Sequence, residues 1–152
     1  MSVAFRRESD EEHKEPRFEL PIPPGPNLVT AAGLKQAESR VDALTARVAA
    51  ETDELALADA QRSLRYWRTR LATAVLAPRP PADEAAFGSR VSFRLNGVER
   101  TVAIVGDDEA DPAAGKLAFS APLARALIGA GPGDFADFGG HADAIEILAV
   151  TS

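Results

Sequence analysis

The chain has 152 residues, 45% of them hydrophobic, with 17 Lys plus Arg against 23 Asp plus Glu, a formal net charge of -6 and no cysteine. That length fits one ordinary domain or two small ones, and two packed units of about 50 to 65 residues would each bury only a marginal core. Without cysteine there is no disulfide, thiolate zinc site or cysteine nucleophile, and the two isolated histidines, His13 and His141, argue against a Ser-His-Asp triad. No apolar run approaches the length of about 18 residues that a membrane span needs, and the N-terminus is too charged for a secretory signal. A cytoplasmic location without a membrane partner is therefore expected, and the acidic total argues against binding nucleic acid through charge alone.

Residues 1–29 carry Arg6, Arg7, Glu8, Asp10, Glu11, Glu12, Lys14, Glu15 and Arg17, followed by Pro21, Pro23, Pro24 and Pro26. So few periodic apolar positions cannot offset the entropy of ordering, so this stretch reads as a disordered, partly polyproline-like leader.

From residue 30 the pattern becomes heptad-like. Leu34, Ala37, Val41, Leu44 and Val48 form one apolar seam behind a candidate N-cap at Thr30. Leu57, Ala60, Leu64, Trp67, Leu71 and Ala74 form a second, which Pro78, Pro80 and Pro81 terminate. Val48 and Leu57 are nine residues apart, so at about 100° per residue one continuous helix would place the second stripe roughly 180° from the first. Neither stripe could then be buried. A reversal near residues 50–54 removes the conflict and predicts an antiparallel helical hairpin over 30–77, with Asp53 or Thr52 capping its second helix. Trp67 is expected in the hairpin core, and Arg65, Arg68 and Arg70 on its solvated face.

A Pro-rich linker is expected over 78–86. Beyond it, Val91, Phe93 and Leu95 alternate as a strand does, and Asn96-Gly97 is a hairpin signal leading into a second strand, Val98 to Val105. An acidic loop over 106–115 precedes a short strand at Lys116 to Ser120. Pro122 suits the first turn of a helix through Leu127 and Ile128 that Gly129 and Gly131 would close. Two further strands, near Phe135 to Phe138 and Ala144 to Val150, are joined across Gly139-Gly140. The fold class is thus α+β: a helical hairpin plus a C-terminal domain over 87–152, mostly antiparallel sheet with one helix on it. Phe87, Phe93, Phe119, Phe135 and Phe138 are read as its core. Net charge is -2 over 1–29, +1 over 30–77 and -5 over 78–152.

Three blocks carry a family resemblance: Phe87-Gly88-Ser89-Arg90-Val91, Ile104-Val105-Gly106-Asp107-Asp108-Glu109-Ala110-Asp111, and Ala121-Pro122-Leu123-Ala124-Arg125-Ala126-Leu127-Ile128-Gly129. In this order, behind a coiled coil with acidic residues at its tip, they resemble the GreA/GreB transcript cleavage factors. The resemblance covers residues 87–150, reaches the hairpin base through Leu64-Arg65-Tyr66-Trp67, and leaves out the leader over 1–27.

It implies a monomeric accessory factor, not itself an enzyme, whose coiled-coil finger enters the secondary channel of bacterial RNA polymerase while an FKBP-like C-terminal domain holds the rim. Contact with nascent RNA or DNA in the elongation complex is implied as well. No cofactor is expected in isolation: the magnesium ion belongs to the polymerase, and tip carboxylates only help to position it. Asp53 and Glu54 match that pair, with Glu51 next, and Pro122, Arg125, Asp107 and Asp108 match the docking region. The family tip reads close to Gly-Asp-Leu-Lys-Glu-Asn-Ala-Glu-Tyr, whereas this chain has Thr52-Asp53-Glu54-Leu55-Ala56-Leu57-Ala58-Asp59, without the Asn or the aromatic. Each arm is about 30 Å long and shorter than the family's. Two alternatives follow: a short-fingered regulator that blocks the channel or opposes cleavage, and, from the FKBP-like fold, a prolyl isomerase. The latter needs an aromatic-lined pocket.

Overall fold

The computed structural model describes residues 19–152. The part of the leader read as disordered over 1–18 lies outside the described residues. Its last residues depart from that reading: Leu28–Val29 form a strand, β1, and Asn27 and Val29 are buried. The cause is tertiary, since β1 pairs in parallel with β2, Val75–Leu76, which lies 47 residues downstream.

Between them stand helices α1, Ala31–Ala50, and α2, Glu54–Thr73. Thr30 caps α1, its Oγ1 accepting the Gly33 N–H at 3.0 Å, and Asp53 caps α2 by accepting the Ala56 N–H at 2.9 Å. Each cap satisfies an N–H that the first helical turn leaves without a partner. The reversal needs only Glu51, Thr52 and Asp53, and no glycine. The Glu51 carboxylate accepts the N–H groups of Thr52 and Asp53, both at 3.2 Å, so an acidic side chain does the work usually left to turn residues. Every predicted seam position is buried or half-buried, with Ala37, Ala60 and Leu64 most enclosed.

The second unit is a five-stranded sheet in the order β5-β4-β3-β7-β6. Its strands are β3, Arg90–Leu95, β4, Val98–Val105, β5, Lys116–Ala118, β6, Phe135–Phe138, and β7, His141–Thr151. All neighbours are antiparallel except β4 and β5. Asn96 and Gly97 take φ of 53° and 77°, the left-handed pair that a two-residue hairpin needs. On β7 the alternation Ile145, Ile147 would carry Ala149 inward. Instead the pairing jumps from Phe93↔Ile147 to Ser92↔Ala149, and this bulge at Leu148 brings Val150 to the core.

Helix α3, Pro122–Leu127, lays Ala124 and Leu127 onto the sheet, where they join Val91, Phe93, Ile104, Ile145 and Ile147 in a fully enclosed core. The segment read as a Pro-rich linker is anchored in the same core. Ala85 is fully buried, its N–H donating to Ala130 O and its carbonyl accepting Gly129 N–H, both at 2.8 Å. The phenylalanines divide: Phe93 is core, Phe119 and Phe138 pack at its margin, but Phe135 is 57% exposed because it lies on edge strand β6.

Candidate functional site

Three regions hold the residues that the sequence singled out: the hairpin tip, the junction between hairpin base and sheet domain, and the start of α3. At the tip, Glu51, Asp53 and Glu54 cluster where α1 turns into α2. Asp53 and Glu54 are exposed, and none of the three forms an ion pair among the described residues. Leu55, 52% exposed, stands beside them. Both Asp53 and Glu51 spend one oxygen on the turn itself, so the reversal that exposes the carboxylates is also held together by them. No group of three His, Cys, Asp or Glu side chains able to hold a metal ion occurs among the described residues.

The junction is built by the acidic loop after β4. Asp108 turns toward the hairpin. Its Oδ2 accepts the Arg70 Nε–H at 2.5 Å and its Oδ1 accepts the Tyr66 hydroxyl, while its backbone carbonyl accepts Gln36 Nε2 at 3.4 Å. Glu109 Oε1 accepts the Thr30 hydroxyl at 2.5 Å, so one threonine caps α1 and ties it to the loop. Burial, reinforced by the hydrogen bond to the Asp108 carboxylate, pushes the Tyr66 phenol up to about 12. Behind this cluster Asn27 donates through Nδ2 to Arg70 O at 2.8 Å and to Thr73 Oγ1 at 3.2 Å. The residual cavity, lined by Asn27, Ala37, Trp67, Arg70, Gly106 and Asp108, is about 10 Å³, room for one water at most.

Two expectations are corrected here. Arg70 is not on the solvated face: it is 3% exposed, since its turn of α2 is roofed by the acidic loop, whereas Arg65 and Arg68 are exposed. Trp67 is half-buried at this junction instead of enclosed in the hairpin, with Arg40 over its ring at 5.5 Å and Tyr66 edge-on at 5.4 Å. Asp108, grouped with the docking residues, is already committed within the chain. The sequence held one signal for this cluster, an aromatic and an arginine four residues apart on one helix stripe. Nothing local named their shared partner, Asp108, which lies 42 residues beyond Tyr66 and 38 beyond Arg70.

The other docking candidates stay accessible. Pro122 opens α3 as an exposed first-turn residue and Arg125 is exposed without an ion pair among the described residues. Asp107 Oδ1 accepts the Ser120 hydroxyl at 2.7 Å, which places it beside the segment leading into Pro122. Asp107, Pro122 and Arg125 thus stay with the sheet domain's own surface, whereas its neighbour Asp108 serves the junction. An apolar groove of about 300 Å³ runs along Leu76, Pro78, Pro80 and Phe87, and Phe87 is its single aromatic, edge-on against Phe119 at 5.3 Å. That is a poor match to the aromatic enclosure an isomerase requires.

Comparison with known proteins gives the following. The family model described as transcription elongation factor, GreA/GreB, C-terminal, matches residues 80–152. Transcription elongation factor GreB of Neisseria meningitidis serogroup A is 43% identical over 77 residues, covering 48% of this chain and 47% of that protein. GreA of a Chelativorans species is 48% identical over 72 residues, covering 45% and 46%. The chain spans about half the length of these curated relatives. Among solved structures, the GreA/GreB factor from Nitrosomonas europaea aligns at TM-score 0.41 and 20% identity over 82% of this chain and 98% of that one. The GreA factor homolog Gfh1 of Thermus thermophilus aligns at 0.39 and 18% over 84% and 100%. The likeness to GreA/GreB factors therefore lies in residues 80–152, the segment that matches the GreA/GreB C-terminal family model.

Proposed function

We propose that this chain is a Gre-type accessory factor of bacterial RNA polymerase that presents the carboxylates of Asp53 and Glu54, with Glu51, at the end of a finger entering the polymerase secondary channel. The observation that carries the reading is the hydrogen-bonded link between two parts. A domain matching the GreA/GreB C-terminal family model grips the base of the hairpin through Asp108 and Glu109, and the far end of that hairpin bears carboxylates with no cation partner among the described residues. Along the helices the tip stands about 24 Å from Arg70 and about 30 Å from Thr30, the two points of that grip. The tip alone lacks the donors to hold a metal, so its carboxylates would add to a magnesium ion held by the polymerase, and the hydrolysis would be the polymerase's own. Pro122, Arg125 and Asp107 offer the docking face on the domain.

The test is cleavage of backtracked RNA by the cognate polymerase at fixed magnesium, comparing the protein with its Asp53→Asn, Glu54→Gln variant. Asn is as good an N-cap as Asp, so the variant removes charge and leaves the turn folded. Stimulation by the protein and its loss in the variant is the expected result. A second reading draws on the same geometry. The arm is short and Asp53 is engaged in capping, which favours a regulator that occupies the channel without reaching the metals. Inhibition shared by both proteins would identify that regulator.

A further inference from the structure

The sheet domain holds the hairpin from one side, its acidic loop bonding Gln36, Tyr66 and Arg70. Arg68 lies two residues before Arg70, so about 200° away round α2, and is exposed where Arg70 is buried. On that open side run two exposed stripes at helical spacing: Glu38, Asp42, Thr45 and Ala49 on α1, and Gln61, Arg65, Arg68 and Ala72 on α2. Between Thr45, Val48, Gln61, Leu64, Arg65 and Arg68 the helices leave an open groove of about 390 Å³. It is an opening in the apolar seam, whose Val41, Leu44, Val48 and Leu57 are only half-buried. The reversal centres on Thr52, so Glu38 stands level with Tyr66 and Asp42 with Arg62, within one helical turn of Arg65 and Arg68. Opposite charges thus flank the groove at one height, and no ion pair joins them across it.

We propose that this face is a self-association surface, on which a second copy of the chain packs in parallel, tips together, to form a four-helix bundle. The face is self-complementary. A two-fold axis along the hairpin lays α1 of each copy over α2 of the other, sets Glu38 and Asp42 against Arg68 and Arg65 twice over, and closes the half-buried seams on each other. Turning one copy end for end opposes α1 to α1 and α2 to α2 and pairs none of these charges. A nucleic-acid backbone fits less well, because it offers one sign of charge to a face that carries both. Arg65 already shows a carboxylate bound on this stripe: its Nε meets Glu19 at 2.9 and 3.0 Å and its Nη2 at 2.6 Å, with Nη1 uncommitted among the described residues. Arms about 30 Å long in a pair about 20 Å wide would bury about 600 Å² per copy, about 1,200 Å² in all, the low end of specific interfaces. A concentration-dependent dimer follows, in contrast to the monomer that the family resemblance implies, and it does not rest on the proposed function.

Sedimentation equilibrium of the full chain from about 5 to about 500 μM tests this, with a monomer–dimer equilibrium expected. Glu38→Lys with Asp42→Lys, and separately Arg65→Glu with Arg68→Glu, should each raise the dissociation constant at least about 10-fold. An equimolar mixture of the two variants should associate again as a heterodimer, since one face is then wholly basic and the other wholly acidic. All four positions are exposed, and unchanged circular dichroism checks that the helices persist. The chain has no cysteine, so a nitroxide at Thr52→Cys in the otherwise unchanged protein reports the arrangement. Labels within about 25 Å of each other are expected from tips held together, whereas an end-for-end pair would separate them by more than about 30 Å. A chain that stays monomeric to 500 μM, a dimer indifferent to both charge reversals, variants that do not recombine, or tips held apart would each overturn the proposal.

Discussion

Asp108→Asn is the most informative single change to this protein. It keeps the shape of the side chain and removes the one negative charge that faces the Arg70 guanidinium, which is 3% exposed. Removing one partner of a buried ion pair costs about 3–5 kcal/mol because the remaining charge stays desolvated. Asp108 itself is 18% exposed, so water offsets part of this and about 3 kcal/mol is expected. At about 2–4 °C per kcal/mol for a chain of this size, the melting temperature should fall by about 6–12 °C. A second readout is specific to the junction. Tyr66 is the single tyrosine of the chain, so absorbance at the phenolate band titrates it alone. Its proton is held to about 12 by burial first and by Asp108 second, and the variant should move it partway toward 10. The sign follows from linkage. The folded state holds the phenol proton more tightly than the unfolded chain, so this contribution to stability is complete below pH 10 and lost between about pH 10 and 12. A melting temperature lowered by less than about 2 °C, with Tyr66 titrating as before, would refute the assignment of Asp108 as the grip on the hairpin.

Thr30→Ala removes both the α1 cap and the bond to Glu109, and should cost about 1–2 kcal/mol in denaturant unfolding; a change under 0.5 kcal/mol would mean the cap is supplied by water. Gly106→Ala should destabilise by about 1–3 kcal/mol, because a Cβ there meets the Leu28 carbonyl oxygen and must push β1 away; hydrogen exchange should then rise at Val75 and Ala77, whose N–H groups bond Asn27 O and Val29 O. Asn27→Ala leaves the Arg70 carbonyl without its side-chain donor and should cost about 1–3 kcal/mol in the same unfolding experiment, with equal stability counting against a buried role for this amide.

Local chemistry made much of this protein legible before any coordinates. The hairpin follows from two apolar stripes whose offset of nine residues no single helix can bury, and the β3–β4 turn follows from the φ values that Asn96-Gly97 adopts without strain. The proline that opens α3 and the capping residues Thr30 and Asp53 are likewise short-range effects, complete within one turn. The acidic tip was readable for the same reason, since carboxylates at a reversal between apolar stripes have only solvent to face.

What sequence left open was every partnership across long separations. Arg65, Arg68 and Arg70 look alike along α2, yet Arg70 is buried and the other two are not, because only the folded acidic loop roofs that turn of the helix. The loop itself reads as a solvated acidic run, and two of its carboxylates prove to be acceptors for Tyr66, Arg70 and Thr30. Leu28–Val29 has no strand signal of its own and becomes a strand because Val75–Leu76, leaving the hairpin, offers it an edge. Periodicity and capping act over a few residues and are written in the chain. Which charge is desolvated, and which carboxylate meets it, is decided by the packing of segments that the sequence keeps far apart.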